Sequence, residues 1–250
     1  MNEAIEYPKI ETLFDRGDDF AVDEARLRLP EFMLVSEWLV TEKVDGTNVR
    51  VVLDNEGGAD SLKGRVRFYG RTADAQMPTF LLSYLSDTFT YECLRAAFPW
   101  WGISPTITWM PESAPVVTLY GEGYGPKIQG AGGNYRPKDA GVSFRLFDVR
   151  VGAKWLDWHN VVSVALRMGI QTVPDLGFYT PKQAVSLAKG FPSSVANHEN
   201  GGAVFPAEGI VARTDPSLYL WDGRRLMWKL KAKDFEPGRS KKSGRAEAAV

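Results

Sequence analysis

Trp38-Leu39-Val40-Thr41-Glu42-Lys43-Val44-Asp45-Gly46-Thr47-Asn48-Val49-Arg50-Val51-Val52-Leu53 sets two runs rich in Val and Leu on either side of a short polar turn. Residues 36–45 and 48–53 are expected as two strands joined at Asp45-Gly46-Thr47, since an Asp-Gly pair between apolar runs is a hairpin signal. Arg65–Tyr69 alternates charged and apolar residues, as a half-buried strand does. Further strands are expected at Val116–Tyr120, Ser143–Val149, Glu208–Ala212 and Leu226–Lys231. Helical spacing marks Phe80–Phe98, stopped by Pro99, and also Trp158–Met168 and Pro181–Ala188. Gly121–Gly133 reads as a glycine-rich loop. Residues 99–115, with four prolines and three tryptophans, read as an ordered surface loop. No internal repeat is present, and the organisation is β-rich with inserted helices.

The 250 residues, 44% hydrophobic and 24% charged, suit a globular chain with a substantial core. No apolar run approaches the roughly 20 residues that span a bilayer, and the polar start is not a signal peptide. Cys93 is the single cysteine and His159 and His198 the only histidines. An intrachain disulfide is therefore excluded, a structural zinc site is close to excluded, and a cytoplasmic setting is expected. A formal net charge of −1 does not fit a protein that coats nucleic acid nonspecifically. Local clusters exist nonetheless. Lys63, Arg65, Arg67 and Arg71 form one basic stripe, and nine Lys or Arg stand between Arg224 and Arg245 against Asp234 and Glu236. Residues 237–250 are expected to be a basic, disordered tail behind a domain spanning 1–236.

Lys43 sits at a strand end against a tight turn, a setting suited to attack of a lysine amine on the α-phosphate of a nucleotide. That attack needs the neutral amine, whereas an unperturbed lysine titrates near ~10.4. Other cations and partial burial are then required beside it. Alternation in Leu226-Met227-Trp228-Lys229-Leu230-Lys231 supplies them, placing Lys229 and Lys231 on one face and Leu226, Trp228 and Leu230 on the other. Two carboxylates occupy similar positions. Glu122 follows the apolar run 116–120, and Glu208 opens Glu208-Gly209-Ile210-Val211-Ala212-Arg213. Converging on a phosphate site, such a pair would hold Mg²⁺ and its waters.

In order along the chain, Lys43-Val-Asp-Gly, Glu122, Phe147-Asp148, Glu208-Gly-Ile-Val and Lys229-Leu-Lys231 resemble five motifs of the covalent nucleotidyltransferases, the superfamily of DNA ligases, RNA ligases and capping enzymes. The resemblance runs from about residue 7 to 235. Glu42-Lys43-Val-Asp-Gly-Thr-Asn48, Tyr7-Pro-Lys-Ile and Tyr69-Gly-Arg71-Thr72 are similar to the RNA ligase 2-like branch. It implies an α+β, ATP-grasp-like nucleotidyltransferase domain of antiparallel sheets flanked by helices, without an OB-fold, and an ATP-dependent RNA ligase that works through lysyl-AMP. By the same resemblance Lys43 takes the AMP, Glu42 accepts a hydrogen bond from the adenine amino group, and Phe147 stacks on the base. Asn48 and Arg71 contact ribose, phosphate or the nucleic-acid end. Glu122 binds ribose or the metal shell and Glu208 the metal (Mg²⁺ or Mn²⁺), while Lys229 and Lys231 stabilise phosphate charge. Lys127 and Arg136 are further phosphate candidates with no motif behind them.

Nineteen residues follow Lys231, where full ligases carry another domain, so a catalytic domain alone is expected, with RNA rather than DNA as substrate and a separate protein able to supply the remainder. The alternatives are a DNA or DNA–RNA nick ligase, an end-binding module that has lost catalysis, and an adenylyltransferase acting on proteins or metabolites.

Overall fold

The computed structural model describes residues 5–55, 64–72, 74–101 and 114–236. Lys63, most of the proline- and tryptophan-rich segment, and the tail 237–250 lie outside these. Elements follow in chain order as β1 (Glu11–Thr12), β2 (Phe14–Arg16), β3 (Val22–Leu27), β4 (Trp38–Lys43), β5 (Thr47–Asn55), β6 (Gly64–Tyr69), α1 (Thr79–Thr88) and α2 (Tyr91–Ala97). The second half contributes β7 (Val117–Tyr124), α3 (Gly132–Tyr135), β8 (Ser143–Val151), β9 (Lys154–Trp155), α4 (Trp158–Met168), β10 (Gln171–Thr172), β11 (Asp175–Tyr179), α5 (Pro181–Ala188), α6 (Ser194–Glu199), β12 (Gly209–Arg213) and β13 (Met227–Lys231).

Two sheets carry the fold, in the mixed, largely antiparallel α+β architecture that the motifs imply. The first has the order β1-β13-β12-β4-β11 and the second β10-β8-β7-β5-β6, with β9 on the flank of β8. Only β1 on β13 and β10 on β8 pair in parallel within them. The hairpin 38–53 does not pair with itself. Its first strand belongs to one sheet and its second to the other, so the Asp45-Gly46 turn bridges the two.

Each sheet buries one face. Behind the first, Trp38 and Val40 of β4, Ile210 and Ala212 of β12, and Trp228 and Leu230 of β13 pack with Ala184, Val185 and Ala188 of α5. Trp38 and Trp228 meet edge to face, with centroids 5.6 Å apart. Each such side chain contributes about 1.5–3 kcal/mol by leaving water. Behind the second sheet, Val49, Val51, Leu53, Val117 and Leu119 join Leu81, Leu85, Leu94 and Val161 from helices α1, α2 and α4. The faces left over both contribute to one cleft, with polar or charged residues such as Lys43, Lys229 and Lys231 from the first sheet and Asn48 and Glu122 from the second.

Several elements differ from the sequence expectation. The helix expected at 80–98 is two helices, because Thr90 accepts the Cys93 N–H at 3.2 Å and starts a new one after buried Phe89. The glycine-rich segment is strand as far as Tyr124, so Glu122 belongs to a sheet ladder and not to a loop. Strands β1 to β3 and helix α6 had no sequence counterpart.

Candidate active site

Register assembles the site. In the first sheet Lys43 on β4, Gly209 on β12 and Lys231 on β13 lie in one row, and Thr41, Val211 and Lys229 lie in another on the same face. A Cβ at Gly209 would stand 2.1 Å from the Leu230 carbonyl oxygen, so only glycine lets β12 approach β13 at this row between the two lysines. The preceding residue, Glu208, bridges them. Its Oε2 is 2.5 Å from Lys43 Nζ and its Oε1 is 2.6 Å from Lys231 Nζ. Burial alone would raise the Glu208 carboxyl, but the Lys43 charge and the bonds from Lys231 and Lys43 hold it below the usual carboxylate range. Lys229 makes no hydrogen bond or ion pair among the described residues. Burial, then the charges of Lys43, Lys231 and Arg71, push its pKa down.

The second sheet faces this cluster with Asn48 and Glu122, directly paired across β5 and β7. Glu122 receives no hydrogen bond among the described residues. Its pKa is pushed up to about 7 by burial. Lys43 opposes that rise, and the neighbouring charges of Glu208 and Asp45 add to it. Asn48 Oδ1 is buried and unpartnered, an acceptor left open for a ligand. The turn at 45–46 is pinned between the sheets. A Cβ at Gly46 would stand 2.3 Å from the Gly123 carbonyl oxygen, so only glycine lets the turn approach β7. The Asp45 N–H donates to the Tyr135 hydroxyl at 3.1 Å, and Gln129 donates to the Gly46 carbonyl at 3.3 Å.

Between the sheets lies a cleft of about 440 Å³ lined by Lys43, Asn48, Arg71, Glu122, Phe147, Glu208, Lys229 and Lys231, together with backbone and side chains of the Glu42 neighbourhood. All nine site residues expected from sequence line this one space, although the Glu42 carboxylate itself is buried and bonded elsewhere. The Phe147 ring is set by Tyr7, which packs edge-on against it at 5.0 Å. Tyr7 is held in turn, its hydroxyl donating to Asp148 Oδ2 at 2.7 Å and accepting from Arg225 at 3.0 Å. Burial and the adjacent Asp148 raise the Tyr7 hydroxyl above its ordinary range. Arg225 and Arg213 also pair with the fully buried Asp148, at 2.6 and 3.6 Å.

Glu42 is the exception. Alternation along β4 sends it to the side away from Lys43, where it is 1% exposed. One oxygen accepts from the Ser193 hydroxyl and the other from the Ser194 N–H at 2.8 Å. The carboxylate expected to read an adenine amino group thus has one acceptor site on each oxygen taken by protein donors at the start of α6. Burial raises its pKa and those donors offset part of the rise. Arg136 is not free for phosphate either, being bonded to Glu199 and to the carbonyls of Gly141 and Ala140. Arg65 and Arg67 both pair with Asp54, which takes up two of the four residues of the expected basic stripe.

Sequence reading missed Lys9, Gln129, Arg213 and Lys233, which also line the cleft. Lys9 lies within Tyr7-Pro-Lys-Ile, Arg213 closes β12 two residues after Glu208-Gly-Ile-Val, and Lys233 stands two residues after Lys231, whereas no motif adjoins Gln129. Among the described residues no group of three or more His, Cys, Asp or Glu could hold a metal ion. Glu122 and Glu208 instead form a repelling pair whose carboxylates fit a divalent cation that takes its other ligands from nucleotide phosphates and water.

A family model described as RNA ligase matches residues 36–231. A variant of Naegleria gruberi RNA ligase with ATP and Mn is similar in fold, with 20% identity and a TM-score of 0.56 over 92% of this chain and 58% of that one. The same ligase with PPi gives 20% identity, 0.56, 92% and 62%. A form with AMP and Mn gives 19% identity, 0.54, 91% and 62%. The chain thus spans about three fifths of the length of these solved chains. No curated protein matches it. Among the described residues no helix is long and apolar enough to cross a membrane.

Proposed function

Because the chain belongs to the RNA ligase family, we propose that it is an ATP-dependent polynucleotide ligase joining a 5′-phosphate to a 3′-hydroxyl of RNA through lysyl-AMP on Lys43. One observation carries this reading: Lys43, Lys229 and Lys231 share a single face around a carboxylate that bridges two of them. In the first step the Lys43 amine attacks the α-phosphorus of ATP. A P–N bond forms, the bond to the pyrophosphate oxygen breaks, and the neutral amine gives up one proton to solvent while keeping one N–H in the phosphoramidate. Glu208 must release Lys43 before the attack. Lys229 and Lys231 offset charge on the α-phosphate and the departing pyrophosphate. AMP then passes to the 5′-phosphate, and the 3′-hydroxyl displaces it to form the phosphodiester.

Phe147 serves as the stacking face for adenine, and Asn48 and Arg71 as contacts to ribose or phosphate. Glu208 and Glu122 would hold Mg²⁺ or Mn²⁺, which when bound supplies positive charge against the transferring phosphoryl group. With the Glu42 carboxylate engaged at α6, base selection falls to other groups of the cleft. Glu42-Lys43-Val-Asp-Gly-Thr-Asn48 favours the RNA ligase 2-like branch. A separate protein able to assist AMP transfer to the RNA end belongs to this reading as a partner of the catalytic domain. The lone Cys93 fits a cytoplasmic setting.

The test is incubation with α-labelled ATP and Mg²⁺, followed by single-stranded, nicked and splinted 5′-phosphorylated RNA and DNA. The expected result is an acid-labile AMP adduct that is chased into sealed RNA. An adduct that seals only DNA, or no adduct at all, overturns the reading.

A further inference from the structure

After β7 the chain runs through Gly125-Pro126-Lys127-Ile128-Gln129-Gly130-Ala131 and returns at Gly132. The neck is tight. A Cβ at Gly132 would lie 1.9 Å from the Gly125 carbonyl oxygen, and the Ile128 N–H donates to that same oxygen at 3.0 Å. Ile128 is plugged into the core at 4% exposure. On either side of the plug, Lys127 and Gln129 have φ of 69° and 52°. That left-handed backbone is disfavoured for any residue with a Cβ, and glycine is its default occupant. Two such residues so close together in an ordered loop are an outlier from which a functional demand can be read.

Gln129 has a visible reason to be there, because it lines the cleft and donates to the Gly46 carbonyl of the nucleophile turn. Lys127 has none within the fold. It is exposed and makes no hydrogen bond or ion pair among the described residues. Glycine would satisfy the backbone better, so what remains to justify the residue is its ammonium. Two residues from Gln129, its Cα lies within about 7 Å of a cleft-lining position.

We infer that Lys127 is an anchor for a backbone phosphate of the polynucleotide end seated at the cleft. This rests on the ligase reading above. Lys43 and Lys231 are engaged with Glu208 and Lys229 is given to the nucleotide phosphates in that reading, so a strand approaching from outside is left the exposed cations of the rim, Lys233 on one part of the lining and Lys127 beside Gln129. A flexible point charge suits a phosphate whatever the sequence of the strand. With a chain of net charge −1, one unpaired lysine at that rim carries weight.

The experiment compares wild type with Lys127→Gly and Lys127→Arg. Three quantities are measured: melting temperature, lysyl-AMP formation without nucleic acid, and binding of a 5′-phosphorylated RNA 20-mer and its 5′-adenylylated form across a salt series. Lys127→Gly should melt at or above the wild-type temperature, since it relieves the backbone, and form lysyl-AMP at the wild-type rate. It should bind both RNAs roughly three- to tenfold more weakly near ~0.1 M salt, with the slope of log K against log salt shallower by about 0.7–0.9. Lys127→Arg should restore binding. Wild-type RNA binding and slope in Lys127→Gly would overturn the anchor, as would loss of lysyl-AMP formation in that variant, which would assign the lysine to the nucleotide. If wild type forms no adduct yet binds RNA in a Lys127-dependent way, the ligase reading falls and the anchor stands. If wild type binds neither RNA, both fall.

Discussion

On one side of β4 the Glu42 carboxylate is buried with both oxygens bonded to donors at the start of α6. On the other side, one residue later, Lys43 shares a single carboxylate with Lys231 while Lys229 stands unpaired. A similar contrast separates Glu122 from Glu199. Glu199 receives Arg136, Arg145 and the Tyr124 hydroxyl, and although burial alone would raise it, these bonds hold its pKa down. Glu122 faces the cleft with no such partner and a pKa near 7. The carboxylates of each comparison are largely removed from water, yet among the described residues Glu122 and Lys229 of the cleft have no pairing partner. Groups satisfied inside the fold hold elements together. Groups left in mutual tension await a charged ligand, since an uncompensated buried charge is tolerated only where binding relieves it.

The comparison can be broken most directly at Lys43. Lys43→Ala should lose the AMP adduct completely by intact-mass spectrometry while keeping its melting temperature within a few degrees, and an adduct surviving in that variant would remove the lysine face from the chemistry. Lys229→Ala and Lys231→Ala should each slow adenylylation by about 10²–10³ in single-turnover assays. Rates near wild type in both would mean that the unpaired state of Lys229 has no catalytic meaning.

Glu122 gives a pH signature. Its folded pKa lies above the ordinary carboxylate value, so it contributes stability at pH below that ordinary range, and this is lost as pH rises through about 7. Glu122→Gln should therefore melt higher than wild type at pH 8, with the difference vanishing below about pH 4. In wild type, apparent Mg²⁺ affinity should fall by up to about tenfold per pH unit below 7, because the cation needs the ionised form. Titrations flat from pH 8 to 5 would place Glu122 outside the metal site.

The smallest effect on chemistry is expected at Glu42. Glu42→Ala strands buried donors and should lower stability by about 3 kcal/mol, read as a drop in Tm, while the ATP-to-GTP preference changes by less than about twofold. A shifted preference at unchanged Tm would show that the carboxylate leaves α6 to read the base, and the two sides of β4 would no longer divide into anchor and chemistry.

What the sequence made legible was local. The runs 38–43 and 47–55 with Asp45-Gly46 between them, and the alternation of Lys229 and Lys231 against Trp228 and Leu230, are patterns of period two that a reader can count. They gave the sheet edges and the lysine face. The partners of Glu42 lie 151 and 152 residues away, and no spacing rule announces them, so a motif position was read as a base contact. The glycines at 121 and 123 suggested a loop because glycine is a poor strand former, whereas pairing with β5 and β8 on both flanks keeps that segment extended. Strand β1 is two residues long, too short for any period to show.

The parallel pairing of β1 with β13 also bears on how the molecule is made. Glu11 and Thr12, made long before β13, find their ladder partners only at Trp228 and Lys229. β4 must wait for β12 before it has a neighbour on that side. During most of translation Lys43 is consequently an ordinary lysine on an unfinished sheet edge, without Glu208, Lys229 or Lys231 beside it. Chains that stop before Lys231 cannot assemble the lysine cluster. The order of synthesis thereby gives Lys43 its charged surroundings only once the strand that completes them has been made.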